Sequence, residues 1–294
     1  MEKAVARTRT IEIGCLNIVT HPHTPQGYVE LLYMAHALRR TVATRKDQRL
    51  LIGEVRNLVR EEPLEGLVGR LYRFTEIDPD GEWLNLETQA AAEPDELGAV
   101  QIPANLRPNM EMFDFVFYPR NHQMYVELRS TGKSLSIAQA QKLWKEVFAA
   151  PAITEQFGDV EVMIVPDTEA LRAILLLPSL YKITIDLIKP NPDEFERASR
   201  NVYGRLARMN ARRLQQTITA ERRERLELDE EEKELALVAA HNGSVVGQGL
   251  GPNGRVVTMS TDETPWSDKI IYDPNLTLPM DALVEGTQRE VGER

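Results

Sequence analysis

The spacing of apolar and polar residues divides this chain into strand-like runs, helix-like runs and a few stretches with neither rhythm. Residues 11–19, IEIGCLNIV, form a nearly unbroken apolar run of strand length, the pattern of a strand buried on both faces. Thr24 followed by Pro25 predicts a helix start, with Tyr28, Leu31, Leu32, Ala35 and Leu38 as its apolar face. Residues 49–59 and 67–77 alternate roughly in twos and predict strands of an antiparallel sheet. Asp80-Gly81 marks a turn, and residues 88–108, rich in Ala, Glu and Pro, predict a long loop.

The next segment is the most regular. Residues 112–119 and 123–129 are apolar strands separated by Arg120, Asn121 and His122, a tight hairpin by length. Ser136 and Gln139 form a capping-box pair ahead of a helix over 137–149, whose apolar residues repeat at helical spacing. A strand at 159–166, a short helix at 168–175 and a strand at 181–190 complete the order β-β-α-β-α-β. That order predicts an α+β fold of mixed or antiparallel sheets with helices on one face.

Beyond residue 190 the pattern changes. Asn191 suits a helix cap, Pro192 the first helical position, and Asp193 and Glu194 the positive end of the helix dipole. At about 100° per residue, Phe195, Ala198, Val202, Leu206 and Met209 share one face. Arg197, Arg200, Arg205, Arg208 and Arg212 fall on the other. A second helix is expected over 219–240, supported by the pairs Glu221–Arg225 and Asp229–Lys233. Asn242-Gly243 and Asn253-Gly254 mark turns beside two valine pairs, so GQGLGPNG (247–254) reads as a hairpin and not as a dinucleotide loop, which needs a helix after it. From Pro274 the periodicity fades, which predicts a loose tail. The expected regions are an N-terminal α+β region (1–108), a central unit (109–190), a helical and hairpin region (191–273) and the tail (274–294). Whether the first is a separate domain stays open.

Composition narrows the class. No run of eighteen apolar residues occurs, the N-terminus lacks a secretory pattern, and Cys15 is the single cysteine, so a cytoplasmic protein without membrane spans or disulfides is expected. The net charge of −10 argues against indiscriminate coating of nucleic acid. Charge is segregated, however. The acids Glu227, Asp229, Glu230, Glu231, Glu232 and Glu234 follow directly on the arginine-rich segment.

Several residue groups invite chemistry. RSTGKS (129–134) lies between a strand and a helix, where backbone N–H groups and Lys133 can meet a phosphate, but Glu127 stands where a nucleotide-binding P-loop needs its first glycine. A capped turn with an exposed lysine is the simpler reading. Asp114, Glu127 and Arg129 resemble the acid and Glu-x-Lys pair of restriction-type nucleases, with an arginine that cannot be deprotonated in the last position; the alternative is cross-strand charge pairing. His21, His23 and His36 lack a surrounding ligand cluster, and Cys15 reads as a buried hydrophobe, so neither a metal site nor a cofactor is expected. The arginine row is either a solvated face neutralised by nearby acids or a phosphate-binding surface. Arg129 and Lys133 would extend that surface if folded nearby.

MFDFVFYPRNHQMYVELRSTGKSLS (112–136), the strand ending in IVPD (164–167), and YKITIDLIKPNPD (181–193) carry a resemblance. Together they resemble a bacterial family found among mobile elements and phage-defence islands, and more distantly lambda RexA and the KwaB component of Kiwa defence. The resemblance implies a dimeric protein that contacts DNA as a sensor or effector in defence, with a possible partner protein from the same system. The leading expectation is therefore a non-enzymatic nucleic-acid-binding or sensing protein acting through its arginine helix. A metal-dependent nuclease using Asp114 and Glu127, and a homo-oligomeric assembly protein without nucleic-acid contact, are the alternatives.

Overall fold

Strand β1 (Arg9–Val19) holds the unbroken apolar run, and it is buried along most of its length because apolar layers pack on both of its faces. The computed structural model describes residues 8–98, 102–191, 197–251 and 253–293. Around β1 come α1 (Pro25–Ala37), β2 (Thr41–Ala43), β3 (Gln48–Val59), β4 (Glu62–Thr75), β5 (Leu84–Asn85), β6 (Ala90–Ala91) and α2 (Pro94–Leu97). The hairpin β7 (Glu111–Tyr118) and β8 (Gln123–Ser130) follows, then β9 (Lys133–Ser134), α3 (Ile137–Phe148), α4 (Pro151–Phe157), β10 (Glu161–Ile164) and α5 (Thr168–Leu175). The chain continues through β11 (Lys182–Ile188), α6 (Arg197–Arg208), β12 (Arg213–Thr219), α7 (Glu230–His241), β13 (Gly243–Leu250), β14 (Val256–Ser260), β15 (Ser267–Tyr272) and α8 (Pro279–Glu293).

The class is α+β, and the strand pairs among the described residues are antiparallel. A large sheet runs β10-β1-β8-β7-β4-β3-β2, with β15 also pairing β1 and β9 pairing β8. One edge of β1 meets β8, while the other is shared by β15 along residues 9–14 and β10 along 16–19. A second sheet runs β12-β11-β13-β14.

Local chemistry explains the helix starts. Thr24 accepts from the Gly27 N–H at 3.0 Å with Pro25 in the first turn of α1. Ser136 and Gln139 exchange both capping-box bonds at the start of α3, at 3.2 and 3.1 Å. Phe113, Phe115, Phe117, Met124 and Val126 line one face of the large sheet, covered by Tyr28 and Leu31 of α1 and Trp144 and Val147 of α3. On the opposite face Cys15, Val68, Val116 and Tyr125 pack under Met280, Ala282 and Leu283 of α8. A third layer joins Ile183, Ile185 and Leu187 of β11 to Val202 and Leu206 of α6 and to Leu235 and Val238 of α7.

Four expectations are corrected. Helices do not lie on one face of the large sheet, since α8 covers the other. Residues 279–293 are therefore no loose tail. Gly286 allows α8 to sit against Ile270, where an added Cβ would come within 2.5 Å of that side chain. The regions drawn at 108/109 and 190/191 cut through the architecture: β1, β3 and β4 share a sheet with β7 and β8, while β11 leaves that sheet to form the second one. Of the predicted helix over 219–240 only α7 forms: Thr219 ends β12, the Leu226 N–H bonds to Leu180 O at 2.7 Å instead of within a helix, and α7 begins only after its Asp229 cap.

Candidate nucleic-acid interface

The arginine helix exists but ends earlier than its spacing suggests. Pro192, Asp193, Glu194 and Phe195 lie outside the described residues, as do the side chains of Arg197 and Ala198. The Asn191 side chain is buried and hydrogen-bonded to the Tyr28 hydroxyl (3.2 Å) and the Ile18 carbonyl (3.3 Å), and the N–H groups it is expected to cap lie outside the described residues. Val202 and Leu206 form the buried stripe of α6. Met209 does not extend it, being 53 % exposed. The helix stops there because Asn210 turns left-handed at φ 52° and the Ala211 N–H bonds back to Leu206 O at 2.9 Å, a Schellman ending.

That ending splits the arginine row. Arg200, Arg205 and Arg208 stay on the exposed face of α6. Arg200 and Arg208 make no ion pair among the described residues, and Arg205 meets Glu231 at 3.3 Å. Arg212, expected on the same face, lies past the helix and pairs with Asp159 and Glu161 beside β10. Arg213 grips Asp186 on β11, and that hydrogen-bonded pairing raises its pKa further. With Gly204, Glu231, Glu234 and Leu235, the three α6 arginines line an open groove of about 410 Å³ between α6 and α7. Tyr203 stacks its ring under the Lys189 ammonium at 4.6 Å, anchoring α6 to the exit of β11.

Arg129 and Lys133 do not extend this surface. Arg129 pairs in register with Glu12 at one end of β1, whereas the Glu161 held by Arg212 pairs with Val19 at the other. Those positions are seven residues apart, about 23 Å along a strand. Lys133 is engaged elsewhere: its ammonium donates to Glu127 at 2.9 Å and to the Met112 carbonyl, and lies 5.0 Å from the Phe113 ring centre. The RSTGKS segment is thus a turn, with Gly132 at φ 80° folding the lysine back onto the sheet rather than toward a phosphate.

The acidic pair Asp114 and Glu127 faces itself across β7 and β8. Hydrogen-bonded register between these strands runs from Tyr118↔Gln123 to Phe115↔Val126. At the next position the Glu127 carboxylate replaces the ladder, accepting from the Asp114 N–H at 2.9 Å. Glu127 is 2 % exposed. Asp114 accepts from Arg70 at 3.2 Å, and Arg70 reaches on to Glu54 at 3.2 Å. Burial, and then the charge of Glu127, push the Asp114 carboxyl above its ordinary range despite Arg70. Arg129 is not part of this group and instead approaches Glu12 at 3.9 Å. A metal ion at Asp114 and Glu127 would have to displace Lys133 and Arg70. No group of three or more His, Cys, Asp or Glu able to hold a metal occurs among the described residues. Two of the histidines are held by backbone carbonyls: His36 bonds to Gly53 O and His21 to Lys189 O, both at 3.3 Å.

Sequence reasoning missed one polar cluster entirely. Asn17 on β1 bonds to His122 Nδ1 at 2.7 Å and to Asn242 Oδ1 at 3.3 Å, while the Tyr28 hydroxyl meets His23 Nδ1 at 3.0 Å. Together with Asn191, these residues tie the large sheet to the ends of β11 and α7. Isolated Asn and His residues carry no periodic signal, so only the tertiary pairing reveals the cluster.

A family model described as a domain of unknown function, DUF4747, matches residues 9–287. The chain belongs to this family. The match begins in β1 and ends in α8, so the DUF4747 unit takes in both sheets and the α6–α7 groove. No curated protein matches the chain. Among the described residues no helix is long and apolar enough to cross a membrane.

Proposed function

We propose that this DUF4747 chain is a non-enzymatic nucleic-acid-binding or sensing protein that contacts phosphates through α6, and that it works in bacterial anti-phage defence. The observation that carries the binding role is the outward face of α6, where Arg200, Arg205 and Arg208 stand exposed and residues 197–208 hold no acid. The wider segment supports it: residues 197–225 hold nine arginines and two acids, Glu221 and Glu224, within a chain of net charge −10. Guanidinium groups present paired donors that match phosphate oxygens. The Arg205–Glu231 pair is no barrier, because Glu231 is 77 % exposed on its side chain and such surface pairs are worth about 0–1 kcal/mol. The defence setting rests on the resemblance of residues 112–193.

Arg205→Glu combined with Arg208→Glu tests the binding role. Both side chains leave the buried stripe of Val202 and Leu206 untouched, so the variant should keep the parent's circular dichroism and melting. Its affinity for double-stranded DNA at low salt should fall at least tenfold. A folded double variant that binds as tightly as the parent removes α6 from the interface. The setting has its own test: cells carrying the intact gene and its neighbours should resist phage, and the same double variant should lose that resistance.

A further inference from the structure

Every sheet has edges, and an unprotected edge is a template for another strand. Among the described residues β12 is the longest terminal strand, with seven residues against six in β15, five in β14, four in β10 and three in β2. The β10 edge is already blunted, since Gln141 of α3 donates to the Val162 carbonyl at 2.9 Å. β15 places Asp268 and Lys269 in its path. β12, RLQQTIT, has no proline and a single charge at its first residue, and its register with β11 is unbroken.

The hydrogen-bond pattern says which of its backbone groups are unused. Lys189 N–H donates to Arg212 O, and Ala220 N–H donates to Tyr181 O. Both pairs continue the β11–β12 register, so even-numbered residues direct their N–H and C=O toward β11. Arg213, Gln215, Thr217 and Thr219 therefore aim theirs away from the sheet, and none has a backbone partner among the described residues.

We propose that β12 pairs antiparallel with β12 of a second copy, about a two-fold axis at Gln216, fusing two four-stranded sheets into one of eight. That register is the one in which all four outward residues find partners: Arg213 opposite the partner's Thr219, and Gln215 opposite the partner's Thr217. It also matches side chains. Leu214 comes opposite the partner's Ile218 on the half-buried face, where both border the core built on β11, and no like charges oppose. The strand is thus complementary to itself, which a foreign strand would not be. This inference stands independently of the nucleic-acid reading.

Light scattering on the full chain at micromolar concentration should return a dimer. Thr217→Pro, which removes an outward N–H on an edge strand that tolerates proline, should return a monomer with unchanged circular dichroism. Cysteine variants fix the register whatever becomes of the proline variant. In Gln216→Cys the two thiols sit across a non-hydrogen-bonded pair with Cα atoms about 4.5 Å apart, inside the disulfide range. Mild oxidation should cross-link that variant. Thr219→Cys should stay uncross-linked, its two copies being about 20 Å apart. Buried Cys15 is common to both and serves as background. A monomeric parent, a Thr217→Pro dimer, or equal cross-linking at 216 and 219 would overturn the proposal.

Discussion

Lys133→Met puts the most enzyme-like residues of this chain to a structural test. Glu127 is almost fully buried, and its carboxylate is satisfied by two kinds of donor, the Lys133 ammonium at 2.9 Å and the Asp114 N–H at 2.9 Å. Methionine keeps the length of the lysine stem and its packing on Phe113, but strands the carboxylate with the amide alone. Removing one partner of a buried ion pair costs about 3–5 kcal/mol. The Lys133 side chain is 23 % exposed, which places the expected loss near the lower end, about 3 kcal/mol. At about 2 °C per kcal/mol for a chain of this size, the melting temperature should drop by about 6 °C. Combining Lys133→Met with Glu127→Leu removes both charges, and should recover at least half of that loss, since buried pairs are often replaceable by apolar residues. Differential scanning calorimetry with a matched urea titration reads both variants. A Lys133→Met protein that melts within 1 °C of the parent would refute the structural reading of Glu127 and reopen its use as a ligand or base.

Three shorter predictions follow from neighbouring parts of the fold. Because burial and Glu127 raise the Asp114 pKa, the folded state favours its protonated form, and that favour is present below the ordinary carboxylate value of 3.8 and lost as pH rises through the folded value. Asp114→Asn should therefore gain stability relative to the parent between acid and neutral pH, read as the difference in melting temperature; a difference that shrinks toward neutral pH would contradict this. Leu283→Ala in α8, fully buried against the large sheet, should cost about 2–5 kcal/mol in urea unfolding, whereas a loose tail would show no change. Glu231→Gln frees Arg205, and should tighten DNA binding by about 2–5-fold at low salt, an effect that fades as salt screens the groove.

The local elements were legible because their signals are local. The apolar run of β1, the Thr24 and Ser136 caps and the β7–β8 hairpin each depend on a few adjacent residues. Sheet membership was not, because Arg9 pairs with Tyr272 and Ile183 with Gly247, and nothing in either segment names its partner. Residues 279–293 looked structureless because the small or polar Ala282, Gly286 and Thr287 interrupt the apolar Met280 and Leu283 on the face that meets the sheet. Thr287 fits there because its hydroxyl bonds to Tyr118 at 2.9 Å. β12 was obscured by Gln215, Gln216 and Thr217 between its two inward apolar residues, Leu214 and Ile218. At the acidic pair the nuclease pattern drew attention to position 129, yet the lysine that reaches Glu127 is four residues further on, returned by the turn at Gly132. In the arginine row the spacing was right only up to Asn210, whose left-handed turn no helical wheel anticipates.

The central claim is that α6 meets nucleic-acid phosphates, and the salt dependence of DNA binding tests it most directly. Fluorescence anisotropy of a labelled duplex, titrated with the full chain across a salt series with and without magnesium, gives the slope of log affinity against log salt. Three phosphates neutralised by Arg200, Arg205 and Arg208 should give a slope of about −2.7 per protomer, with the DNA left intact in either condition. No binding at low salt, or binding whose affinity does not change with salt, would contradict the account.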